Sequence, residues 1–77
     1  MDNLEKLIIF LNKLDERKIY YRLNKVRDSI MVEVSVPGQR WEVEFMGNGE
    51  VEIEVFRSDG EIFDEKHLEV LFRDFSD

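Results

Sequence analysis

Residues 30–56 read IMVEVSVPGQRWEVEFMGNGEVEIEVF, and their alternation decides the fold. Ile30, Val32, Val34 and Val36 take every second position, with Met31, Glu33 and Ser35 between them. Beyond Pro37-Gly38-Gln39-Arg40, Trp41, Val43 and Phe45 alternate with Glu42, Glu44 and Met46. Beyond Gly47-Asn48-Gly49, Val51, Ile53 and Val55 alternate with Glu50, Glu52, Glu54 and Phe56. A strand sends successive side chains to opposite faces, so this pattern predicts three strands with one apolar and one acidic face. The breaks carry residues that turns favour. Upstream, Ile19, Tyr21 and Leu23 alternate with Tyr20, Arg22 and Asn24 and add a first strand, closed by Lys25-Val26-Arg27-Asp28.

The flanks switch to helical spacing. Leu4, Leu7, Ile8, Leu11 and Leu14 recur on one face of a helix over Asn3 to Arg17, which Ile9 and Phe10 widen. Asp2 stands as N-cap, with Glu5 completing a capping box. Leu68, Leu71, Phe72 and Phe75 form the stripe of a second helix, with Asp64 as its cap and Glu65 in its first turn. Arg57-Ser58-Asp59-Gly60 reads as a turn, and Glu61-Ile62-Phe63 as either a short extended piece or a loop. The order α-β-β-β-β-α with short connections predicts one α+β domain over residues 1–77. It is a four-stranded antiparallel meander with both helices on one face.

Loop lengths propose a register. A three-residue loop at 47–49 sets Phe45 against Val51 and Val43 against Ile53. Four-residue loops at 37–40 and 25–28 set Val34 against Val43 and Tyr21 against Val32. Every inward residue then meets an inward residue, which a slip of one would destroy. The outer face follows as three rows: Tyr20, Glu33, Glu44, Glu52; then Ser35, Glu42, Glu54; then Arg22, Met31, Met46, Glu50. Glutamates face glutamates across strands, a destabilising arrangement, and Arg22 is the one outward cation expected.

Composition limits the functions. With 77 residues, 18 acids against 11 bases and a net charge of −7, the chain is a poor fit to nucleic-acid phosphates. No cysteine and a single histidine, His67, exclude disulfides, thiolate metal sites and a thiol nucleophile. No basic leader and no long apolar run occur, so neither export nor a membrane partner is expected and the cytoplasm is the expected location. The paired glutamates on an open face lack a pocket to separate their pKa values, and the serines have no His/Asp partners, so no catalytic residue and no cofactor are expected.

The pattern Val36-Pro37-Gly38-x-Arg40-Trp41-Glu42-Val43-Glu44-Phe45, followed by Gly49-x-Val51-Glu52 and Ser58-x-Gly60-x-Ile62, resembles that of a family of small acidic bacterial proteins. Their size and acidity are similar to those of immunity proteins and antitoxins. The reading that emerges is a protein-binding module that engages a basic protein partner, such as a toxin, through its acidic sheet face. Glu33, Glu42, Glu44, Glu52 and Glu54 supply the charge, Met31, Met46 and Phe56 the apolar anchors, and Tyr20 a rim contact. The alternatives are a structural homo-oligomer joined through an edge strand or helix, and weak divalent-cation binding on the acidic rows, without a dedicated metal site.

Overall fold

The computed structural model describes residues 2–57, 62, 63, 65 and 68–75. The expected cap Asp64, His67, most of the Arg57–Gly60 turn and the side chain of Phe75 lie outside the described residues. Helix α1 (Asn3–Glu16) is followed by β1 (Tyr20–Val26), β2 (Ser29–Val36), β3 (Gln39–Met46), β4 (Val51–Phe56), β5 (Ile62–Phe63) and α2 (Leu68–Phe75). The strands form one antiparallel sheet in the order β1-β2-β3-β4-β5. The α+β meander is therefore as expected. The ambiguous Ile62-Phe63 is extended and pairs with β4, Phe63 opposite Ile53 and Ile62 opposite Glu54.

The apolar alternation builds the core. Val32, Val34, Val43, Ile53 and Val55 are fully buried, and Trp41 almost so. Trp41 is a core residue: it faces Val34 and Val55 across its neighbours, and its indole N–H donates to Gln39 Oε1 at 2.8 Å. Both helices cover this face. Phe10 of α1 packs against Phe45 and Phe72 with ring centroids 5.5 and 5.8 Å away, and Leu71 of α2 is fully buried.

The buried stripe of α1 differs from the expected one. Phe10 and Leu14 are buried and Leu7 and Leu11 half-buried, whereas Leu4 and Ile8 are exposed. The helix turns its heaviest residue, Phe10, toward two aromatic partners, Phe45 of β3 and Phe72 of α2. That rotation leaves the sheet's first edge uncovered. Leu23, expected in the core, is 54% exposed, and Tyr21 is half-buried.

The ends of α1 are fixed chemically. Asp2 accepts the Glu5 amide at 2.8 Å. Asn3 Nδ2 donates to the Gly47 carbonyl at 2.8 Å and Lys6 Nζ to that of Gly49 at 3.2 Å, seating the helix start on the β3–β4 turn. Gly49, at φ 93°, allows this approach, because a Cβ there would sit 3.1 Å from Asn3 Oδ1. At the other end the Ile19 amide donates to Leu14 O at 2.9 Å and the Lys18 amide to Asp15 O at 3.1 Å. This is a Schellman cap, with its apolar contact between buried Leu14 and Ile19 and Lys18 left-handed at φ 57°.

Two hairpins are tighter than expected. Val26 pairs with Ser29 around Arg27-Asp28, and Val36 with Gln39 around Pro37-Gly38. Pro37 followed by Gly38 at φ 77° suits a type II turn of two central residues. The register therefore shifts by two: Val34 faces Trp41, Val32 faces Val43, and Tyr21 faces Val34. A shift of two preserves which face each residue takes, so the core survives the correction. The β3–β4 hairpin keeps its expected register, Phe45 opposite Val51 and Val43 opposite Ile53.

Candidate functional site: the acidic outer face

The corrected register rewrites the outer face. Its rows now read Tyr20, Ser35, Arg40, Phe56; then Arg22, Glu33, Glu42, Glu54; then Asn24, Met31, Glu44, Glu52; then Val26, Ser29, Met46. Glu33 lies beside Glu42 and not beside Glu44. The oppositions Glu42–Glu54 and Glu44–Glu52 stand as expected. Neighbouring strands are about 4.8 Å apart and alternate residues about 7 Å apart, so five glutamates occupy a patch roughly 10 by 7 Å.

The face carries a second cation that the sequence reading left in a loop. Arg40 is the second residue of β3, places its guanidinium 3.5 Å from Glu42 and stacks over Phe56 at 4.5 Å from the ring centroid. The dipeptide Pro37-Gly38, a two-residue turn signal, could have placed it on the sheet. Arg22 lies 3.2 Å from Glu33. Arg22 holds the β1 end of the glutamate row Glu33–Glu42–Glu54, and Arg40 holds its middle member, Glu42. Glu44 is fixed differently: its carboxylate accepts from the hydroxyl of Ser29, which also lies 2.8 Å from the Val26 carbonyl.

The expected apolar anchors do not form one patch. Met31 and Met46 are half-buried in adjacent rows near one end of the sheet. Phe56 sits two rows away from Met31, beneath the Arg40 guanidinium. Tyr20, 67% exposed at the start of the edge strand, is placed as a rim residue. Beneath Glu42, Glu44, Glu52 and Glu54 is a pit of about 40 Å³. That is far below the roughly 300 Å³ of a small-molecule site, so these four glutamates can recognise charge and shape but not enclose a ligand between them. Among the described residues no three acidic or histidine side chains converge as metal ligands, so the carboxylates do not assemble into a cation cage.

A larger hollow lies on the opposite side, between the helices. It encloses about 380 Å³ over Phe10, Phe45, Leu68 and Phe72, with Lys6 and Lys13 at its rim. Both lysines are engaged: Lys6 lies 3.3 Å from Glu65, and Lys13 lies 5.3 Å from the Phe72 centroid. Among the described residues no helix is long and apolar enough to cross a membrane. Comparison with family models, with curated proteins and with solved structures gave no match for this chain.

Proposed function

We propose that this chain is a small protein-binding module of the bacterial cytoplasm, whose outer sheet face engages a basic protein partner in the manner of an immunity protein or antitoxin. The observation that carries the reading is the direct opposition of Glu42 to Glu54 and Glu44 to Glu52 on adjacent strands. Like charges facing each other destabilise a sheet by up to about 1 kcal/mol per pair. On the outer face, among the described strand residues, the two arginines Arg22 and Arg40 answer five glutamates. Cations on a partner would relieve the repulsion that the free protein tolerates. They would also draw that partner in at rates above those of a neutral surface. The size and acidity of the chain support the comparison with immunity proteins as a class, and Tyr20 and Phe56 give the face an aromatic margin.

The test uses the wild-type chain and a Glu42→Gln/Glu52→Gln variant, each immobilised and presented with extract of the source cell at rising salt. A basic protein should be retained by the wild type, lost from the variant and released as screening sets in. Equal retention on both chains would remove this face from the interaction.

A further inference from the structure

The first edge of the sheet has a character opposite to that of its outer face. Strand β1 ends the strand order, and every one of its residues except Tyr21 is exposed. The two-residue turn after Val26 makes Val26 and Ser29 the pair that exchanges both backbone hydrogen bonds. Even-numbered residues of β1 therefore address β2, and the amides and carbonyls of Tyr21, Leu23 and Lys25 point away from the sheet. Among the described residues these groups have no backbone partner, and such a row is the template for an added strand.

The side chains around that row are specific. On the core side, Leu23 is 54% exposed, and Leu4 and Ile8 of α1 are 67% and 46% exposed. Leu4 lines the same hollow as Lys25, and Asp15, further along the same side of α1, is near enough to raise the Tyr21 phenol above its usual pKa, so this flank of the helix runs beside β1. On the outer side stands Arg22, which pairs with Glu33 through one guanidinium nitrogen while its side chain stays 71% exposed. Residues 17–27 hold five cations and no acid, in a chain whose net charge is −7.

We propose that the β1 edge is a second binding site, which takes an extended acidic segment of a protein partner by strand addition. The segment alternates apolar side chains, which cover Leu23, Leu4 and Ile8, with acidic ones, which meet Arg22 and the cations at both ends of the strand. Backbone bonding to Tyr21, Leu23 and Lys25 supplies affinity, and the alternation supplies selectivity. Charge argues against a second copy as the occupant, since two such edges would bring together five cations each. A phosphate backbone would satisfy the cations but has no N–H groups to fill the outward carbonyls. The site shares Arg22 with the acidic face, but its backbone row and apolar flank do not depend on the role proposed for that face.

The test is amide hydrogen exchange, read by NMR on the isotope-labelled chain, with capped peptides of the length of β1. One peptide alternates glutamate with valine, and the other lysine with valine. The glutamate peptide should slow exchange at Tyr21, Leu23 and Lys25 while the lysine peptide leaves them unchanged. An Arg22→Ser variant should bind the glutamate peptide roughly two- to threefold more weakly, the effect of losing one exposed ion pair. Leu23→Pro, which deletes an outward N–H, should abolish protection while the amides of β3 stay protected. Binding without protection of those three amides, equal binding of the lysine peptide, or equal binding of an oligothymidylate would each overturn the proposal. Protection that rises with protein concentration and no peptide would overturn it in favour of a second copy.

Discussion

Replacing Glu52 by lysine isolates the electrostatic content of the outer face. Glu52 is exposed and lies directly opposite Glu44, with Cβ atoms about 5 Å apart. Two unit charges at that separation in water interact by roughly 0.8 kcal/mol. Reversing one of them turns repulsion into attraction, a gross change of about 1.6 kcal/mol by the same relation. Screening and the side-chain entropy of an exposed pair reduce it to about 1 kcal/mol or less. Glu44 is a fixed target because the Ser29 hydroxyl holds its carboxylate. In a domain of this size about 1 kcal/mol raises the melting temperature by roughly 4–8 °C. The assay is thermal unfolding followed by circular dichroism at low ionic strength and again in about 1 M salt, where the Debye length falls to about 3 Å. Asn12→Lys, on the exposed surface of α1, changes the net charge by half as much as Glu52→Lys, and twice its effect is the control for a change in net charge alone. A Glu52→Lys gain no larger than that of the control, or one undiminished by salt, would refute the argument that opposed glutamates strain this face.

Lys18→Gly should stabilise the protein by about 1 kcal/mol in chemical denaturation, because a left-handed backbone at φ 57° burdens any residue with a Cβ. Val34→Ala, at a position with no exposure, should cost about 2–3 kcal/mol by the same measurement, from lost burial plus the cavity left between β1 and β3. Partial burial, together with the hydrogen bond and negative charge of Asp15, raises the Tyr21 phenol above its usual 10.0. The folded state therefore holds that proton more tightly than the unfolded one. Its stabilisation is complete below pH 10.0 and is lost as pH rises through the folded value. The stability difference between wild type and Tyr21→Phe should accordingly change sharply only in that alkaline range, as read from denaturant midpoints across pH.

Alternation made the strands, their inner residues and the acidic face legible without coordinates, because burial on one side of a sheet imposes a pattern with a period of two. The same property hid the register. Turns of two residues and loops of four differ by one alternation, so Val34 opposite Trp41 and Val34 opposite Val43 satisfy the pattern equally. Pro37-Gly38 carried a local signal for the tighter turn, but Arg27-Asp28 carried none, since Arg27 takes φ 51° without being glycine. Arg40 was missed from the site for the first of these reasons. Leu23 and Leu4 were misplaced for a different one. Periodicity marks a face as apolar but does not say how far a helix rotates toward a competing aromatic contact, and here Phe10 with Phe45 and Phe72 decided it. β5 is two residues long, too short for any period to show.

Trp41 gives the molecule an internal optical probe. It is the one tryptophan in the chain, 1% exposed, and its indole is held by Gln39. Emission from such a site should be blue-shifted in the folded protein and should move to longer wavelength when the core opens. The outer glutamates lie on the far side of the β3 backbone from the indole, and the β1 edge lies two strands away. A ligand docking at either place would leave the indole dry and the spectrum unchanged, while any event that pried the helices from the sheet would be seen at once. One fluorescence trace can thus separate binding from unfolding in every variant described above.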